Sequence, residues 1–97
     1  MHKIELTPEA SDDLASLRRF DQARVVNELE SQLAHEPTTE TRNRKRLRPN
    51  QLAESVLRVD RFRVFYYVFP ESEIVKIIAI GFKEGNDLFI RGERYEL

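Results

Sequence analysis

The sequence predicts an α+β domain in which an N-terminal helical hairpin packs on one face of an antiparallel sheet, in the order β-α-α-β-β-β. Three observations lead there. Residues 8–35 carry apolar side chains at helical spacing. Residues 55–80 hold three runs rich in β-branched and aromatic residues, parted by turn signals. A single short alternating segment precedes the helices. At 97 residues the chain makes one domain, 1–97, with enough apolar content (40%) for one modest core.

Taken in order, Lys3-Ile4-Glu5-Leu6 alternates polar and apolar, as a strand with one buried face does. Thr7-Pro8-Glu9 then starts a helix. Thr7 can cap it, Pro8 suits its first position, and Glu9 complements the positive end of the dipole. Ala10, Leu14 and Leu17 form one apolar stripe. The pattern restarts at Phe20-Asp21, with Asp21 as the expected N-cap and Phe20 with Val25 as a hydrophobic staple. Val26, Leu29 and Leu33 carry the stripe on to His35-Glu36-Pro37, where the proline ends it. Residues 38–53 show no apolar period and read as a long basic loop, a length often tied to function. Ser55–Val59 and Phe62–Phe69 are strands with a turn at Asp60-Arg61. Residues 74–80 are apolar except for Lys76, which suits a central strand covered on both faces, and Pro70-Glu71-Ser72-Glu73 is the turn before it. Residues 84–97 read as an irregular tail containing the short apolar run Leu88-Phe89-Ile90. Parity along Phe62–Phe69 puts Phe62, Val64, Tyr66 and Val68 toward the core, and Arg63, Phe65, Tyr67 and Phe69 toward a partly open face.

Composition narrows the function. No cysteine is present, so a disulfide framework and a thiolate nucleophile or metal site are both excluded. His2 and His35 stand far apart in sequence, and no zinc spacing, Ser-His-Asp set or Gly-rich phosphate loop occurs, so no metal or cofactor is expected. No stretch approaches the roughly 20 apolar residues of a membrane span, and the first residues lack an apolar signal core. These readings place the domain in the cytoplasm, away from the membrane.

Charge is the most informative feature. The net charge is only −1, yet residues 42–63 hold eight Lys or Arg against two acids, Glu54 and Asp60. Five basic residues (Arg42, Arg44, Lys45, Arg46 and Arg48) fall within seven positions, and Arg58, Arg61 and Arg63 follow. Such a run can be a solvated surface paired with the protein's own acids. Concentrated in one loop and the hairpin after it, it also makes a polyanion site, and arginine beside aromatic strand residues can hold phosphate and stack on exposed bases.

The element order, the run Leu57-Arg58-x-x-x-Phe62-Arg63-Val64-Phe65-Tyr66 and the Ile80-Gly81-Phe82-Lys83 strand end resemble the RelE/ParE superfamily of bacterial toxins. Thr41-Arg42-Asn43-Arg44-Lys45-Arg46-Leu47-Arg48-Pro49-Asn50 and Gly85-Asn86-x-Leu88-Phe89-Ile90-Arg91-Gly92-Glu93-x-Tyr95-Glu96-Leu97 are similar to a RelE-like subgroup. The resemblance spans essentially the whole chain.

It implies a toxin of a type II toxin–antitoxin module that blocks translation by cutting mRNA on the ribosome, a metal-independent endoribonuclease restrained by a cognate antitoxin protein. On that resemblance Arg63, Arg58 and Lys83 are the catalytic set; the charge run itself assigns Arg42, Arg44, Lys45, Arg46, Arg48 and Arg61 to nucleic acid, and Phe89 can stack on a base. Phe89 falls near a tyrosine of the best-known members and lacks its hydroxyl. Glu54 and Val56 stand where mRNA-cutting members often carry lysines. Two alternatives therefore remain: a non-enzymatic toxin that inhibits DNA gyrase, and an inactive RNA-binding homologue.

Overall fold

A computed structural model describes residues 1–96, so Leu97, the last residue of the C-terminal motif, lies outside the described residues. The elements are β1 (Lys3–Leu6), α1 (Pro8–Ala15), α2 (Arg19–Leu33), β2 (Arg44–Arg46), β3 (Ser55–Val59), β4 (Phe62–Phe69), β5 (Ile74–Glu84), β6 (Asp87–Ile90) and β7 (Glu93–Tyr95). One sheet runs β2-β3-β4-β5-β6-β7, antiparallel throughout, and β1 lies parallel beside β5. The expected α+β architecture is present, with the first strand beside the later ones.

Local chemistry explains the helix starts. Thr7 caps α1, its Oγ1 accepting from the Ala10 amide at 3.1 Å, with Pro8 in the first turn. The start of α2 differs from the sequence reading. The helix begins at Arg19, Arg18 is the capping position without a side-chain cap, and Phe20 stands 78% exposed. Only residues 16–18 link the helices, so Leu17 packs against the core where a staple residue would go. Asp21 serves the first turn instead, beside Arg18 at 3.4 Å.

Two segments read as irregular are strands. Within 38–53, Arg44–Arg46 pairs with β3, and the tail folds into the β6–β7 hairpin. The edge strands β2 and β7 are three residues each and mostly polar, so no apolar alternation announces them, and β6 shows only the short run Leu88-Phe89-Ile90. Gly85 (φ +60°) turns β5 into β6, and Arg91 (φ +52°) with Gly92 (φ +81°) makes the two-residue turn into β7. Both positive values there match a type I′ hairpin.

The helices cover one sheet face. Val25, Leu29 and Leu33 of α2 pack with Leu57, Val64 and Ile77 of the sheet, all essentially buried. Each such side chain contributes about 1.5–3 kcal/mol by leaving water. The opposite face is only partly covered, by a smaller cluster of Ala53, Phe65, Ala79, Leu88 and Ile90 under the 47–53 loop and the tail hairpin. The predicted parity of β4 holds on both faces. No helix is long and apolar enough to cross a membrane.

Candidate nucleic-acid interface

The site lies on the less covered face, and its geometry begins with pairing. Arg58 of β3 stands directly opposite Arg63 of β4, and Arg63 opposite Gly81 of β5. Directly paired residues share a face, so two like charges are neighbours across the strands. The Arg63 Nη1 donates to the carbonyls of Asp60 (2.8 Å) and Phe62 (2.9 Å), which orients the guanidinium without neutralising it. Burial, and then the adjacent Arg58, push the Arg63 guanidinium below its ordinary value. It remains charged, and an anion would relieve the strain.

Lys83 reaches the same face through an irregularity. Along β4 and β5, Phe65 pairs with Ala79 but Tyr66 pairs with Ile77, leaving Ile78 as an extra residue. This bulge reverses the side-chain alternation of everything after it. Val75 and Ile77 face the helices, Ala79 faces the other way, and Lys83 follows Ala79 rather than Ile77. Lys83 therefore joins Arg63 in one open cleft of about 390 Å³. Val56, Phe65 and Leu88 form its apolar lining, while Asn86, Asp87, Arg94, Tyr95 and Glu96 complete its wall. Arg94 absorbs the two acids, at 3.5 Å from Asp87 and 3.4 Å from Glu96. Among the described residues, neither Arg63 nor Lys83 has a carboxylate within ion-pair distance. Tyr95 places a hydroxyl-bearing side chain in this cleft.

The other residues expected at the site are divided. Arg58 borders a neighbouring depression of about 370 Å³ together with Arg42, where Arg24 already pairs with both Glu28 and Asp60. Lys45 pairs across from Val56 and so shares the cleft face. Arg46 pairs with Ser55 on the helix side, and Arg48 is exposed in the loop beyond it. Arg44 is occupied: its Nη1 donates to the carbonyls of Gln32 (2.5 Å) and Glu36 (2.9 Å) at the end of α2. Expected as a nucleic-acid contact, Arg44 instead ties β2 to the helix, because its parity points it at unsatisfied carbonyls. Phe89 does not meet Arg63 either. It stacks on Phe82, ring centroids 5.6 Å apart, and Phe82 packs with the helix-side core. Arg61 lies 5.2 and 5.7 Å from the ring centroids of Phe62 and Phe82 on that side.

Several residues of consequence were not anticipated. Asn50 shapes the loop under the cleft, its Oδ1 accepting from the amides of Leu52 (2.7 Å) and Ala53 (3.0 Å). Pro49-Asn50 is a turn signal that could have found it. Asp13 is buried, and its position on the Ala10, Leu14, Leu17 stripe is the signal that was legible. Among the described residues no three His, Cys, Asp or Glu side chains come together as a metal site.

Residues 4–85 match the family described as the ParE toxin of the type II toxin–antitoxin system, parDE. The chain belongs to this family. The RelE/ParE superfamily resemblance thus extends to fold and family alike. Among solved structures, the chain is similar to one in the RelBE2 toxin–antitoxin complex of Mycobacterium tuberculosis. The identity is 26% over 84% of this chain and 98% of that one, with a TM-score of 0.73. A chain of the archaeal RelE–RelB complex of Pyrococcus horikoshii OT3 shares the fold at 20% identity, over 81% and 91% of the two chains, with a TM-score of 0.66. No curated protein sequence matches. The protein is a type II toxin of the RelE/ParE superfamily.

Proposed function

We propose that this toxin inhibits translation by cutting mRNA on the ribosome, in the cytoplasm, and that a cognate antitoxin protein holds it inactive. The observation that carries the reading is the cleft in which Arg63 and Lys83 stand together with no carboxylate partner among the described residues. A folded domain keeps unpaired cations side by side, at a cost in stability, where an anion is to be bound. The antitoxin reading draws on the family and on the two similar structures, both toxin–antitoxin complexes.

The chemistry asked of such a cleft is transfer of a phosphodiester to the adjacent ribose oxygen. The 2′-oxygen forms a bond to phosphorus, the bond to the 5′-oxygen breaks, and a 2′,3′-cyclic phosphate and a 5′-hydroxyl result. Negative charge grows on the phosphate oxygens in between, where the Arg63 fork and the Lys83 ammonium stabilise it. A proton must leave the 2′-hydroxyl and another must reach the 5′-oxygen. Lys83 and Tyr95 are the groups in the cleft to exchange them, since Asp87 and Glu96 are held against Arg94. Arg58 and Arg42, one strand and one loop away, would follow the backbone of the flanking nucleotides.

Primer extension on a defined mRNA in a reconstituted translation reaction tests this, with Arg63→Ala as control. Cuts in the A-site codon that vanish with Arg63→Ala are expected. A second reading has one observation in its favour, the match to the ParE toxin family, which on the resemblance above includes inhibitors of DNA gyrase. Intact mRNA, together with DNA-damage signalling on induction, would move the conclusion there.

A further inference from the structure

Asp13 and Arg91 lie outside the cleft, yet they meet the β5 bulge from the helix side. The Asp13 side chain is only 7% exposed. Its Oδ2 accepts from the Ile80 amide at 3.0 Å, and its Oδ1 accepts from the Arg91 Nε at 2.9 Å. Arg91 completes the circuit by donating Nη2 to the Ile78 carbonyl at 3.1 Å. One half-buried ion pair therefore serves the extra residue's own carbonyl, which also accepts from Thr7 Oγ1 at 3.4 Å, and the amide two residues on. Both groups lie on the stretch of β5 between the β1 pairing, which ends at Ile77, and the β6 pairing, which starts at Phe82, so no strand serves them on that edge. A buried group left unpaired is costly. The second observation is conformational. Arg91 holds φ at +52°, a region unfavourable for a long side chain, in the turn that delivers its guanidinium to Asp13. Asparagine or glycine would suit that turn better on backbone grounds alone.

We propose that Asp13 and Arg91 are positioning residues that lock the bulge at Ile78 and thereby decide the face on which Lys83 emerges. Without the extra residue, the alternation set by Val75 and Ile77 would send Ala79, Gly81 and Lys83 toward the helices and Phe82 into the cleft. The ladder itself is indifferent, because nearly every residue of this stretch is apolar and tolerates either face. The clamp breaks that degeneracy. It also ties three distant parts of the chain, α1, β5 and the β6–β7 turn, into the geometry of the cleft. Its effect on RNA rests on the function proposed above; its effect on register does not.

The test uses Asp13→Asn and Arg91→Lys in the full chain. Cross-strand nuclear Overhauser contacts are followed for the β4–β5 pairs on either side of the bulge, Tyr66–Ile77, Phe65–Ala79 and Val64–Ile80, with amide exchange at Ile80. Both variants should weaken the Val64–Ile80 contacts and speed Ile80 exchange by about tenfold or more, the scale of one lost hydrogen bond. The global melting transition should remain. Unchanged register and unchanged Ile80 protection in both variants would overturn the proposal. A second arm measures affinity for a single-stranded oligoribonucleotide. Lys83→Ala should weaken binding in the parent and have little further effect in the Asp13→Asn background, because the clamp acts through Lys83. Full additivity would reduce Asp13 to general stability and refute the positioning role. If Lys83→Ala is silent even in the parent, the RNA reading fails, and the register measurement still decides the clamp.

Discussion

Replacing Arg58 with threonine should make the protein more stable while weakening its hold on RNA. Arg58 and Arg63 are directly paired across β3 and β4, and Arg58 is one cause of the depressed Arg63 guanidinium. Like charges at such a pair cost about 0.2–1 kcal/mol. Arg58 is exposed, so little apolar packing is lost with it, and its backbone amide keeps its 2.7 Å bond to the Asn43 carbonyl. Threonine also suits a strand. Taking a gain of about 0.5–1 kcal/mol, the melting temperature should rise by about 2–8 °C in a domain of this size. The gain is electrostatic, so it should largely disappear in 1 M salt, where the screening length falls to about 3 Å. Scanning calorimetry at low and high salt, with Arg58→Lys as the charge-retaining control, measures it. Oligoribonucleotide affinity should fall, and its logarithmic salt dependence should flatten by about 0.7, the share of one phosphate contact on a single strand. A melting temperature that drops, or a gain that persists in 1 M salt, would refute the idea that the two arginines are strained against each other.

Other outcomes follow from the same geometry. Gly81→Ala places a Cβ 2.4 Å from the Phe89 carbonyl oxygen and 2.8 Å from the Ile90 side chain; it should cost about 1–3 kcal/mol in urea unfolding as β5 and β6 are forced apart. Arg44→Met removes donors from the last carbonyls of α2; a stability loss of about 1.5–3 kcal/mol is expected, with RNA affinity kept where Arg42→Ala loses it. Burial raises the Tyr66 phenol above its ordinary value of 10.0, and its hydroxyl donates to the Pro37 carbonyl at 3.1 Å. The neutral phenol is favoured in the fold, so its contribution is complete below pH 10 and is lost as pH rises through the folded-state value; Tyr66→Phe should melt lower at pH 7 and show a weaker alkaline decline. Phe89→Tyr should leave mRNA cutting unchanged by primer extension, because the added hydroxyl would lie beside Phe82 and away from the cleft.

How far the sequence reaches can be judged from particular elements. Ser55–Val59 and Phe62–Phe69 are legible because β-branched and aromatic residues fill them and turn residues bound them. Thr7-Pro8 marks its helix start because capping and proline preferences are local. The β2 and β7 edges are not legible, since short polar edge strands are held by backbone pairing that leaves no apolar period, and β6 offers only the run Leu88-Phe89-Ile90, too short to mark a strand by itself. The bulge at Ile78 is hidden for a different reason: in an apolar run, a reversal of alternation changes nothing in the pattern. The same reversal decides the site, placing Lys83 with Arg63. Arg44 and Phe89 share the remaining difficulty. Their residue types suit nucleic acid, but only the register shows that one faces helix carbonyls and the other an aromatic stack.

Net charge is a poor guide to this protein, and the reason is where its acids are used. Outside residues 42–63 there are fifteen acidic and eight basic residues (17 less two, 16 less eight). Acids are matched to scaffold cations: Asp21 to Arg18, Glu28 to Arg24, Asp13 to Arg91, and Asp87 with Glu96 to Arg94. Arg63, Lys83, Arg58 and Lys45 are left without such partners among the described residues. Screening limits exposed charges to an influence of about 8–10 Å at ordinary ionic strength, so a bound phosphate feels the cleft and little of the distant acidic surface. A chain of net charge −1 can therefore hold a polyanion. The acidic remainder suppresses binding elsewhere on the surface, which favours recognition at one cleft over diffuse attraction. Converting Asp87 and Glu96 to amides would release Arg94 and strengthen the field at the cleft. Oligoribonucleotide affinity should rise, with a steeper salt dependence, and an unchanged slope would mean that Arg94 lies out of reach of the bound phosphates.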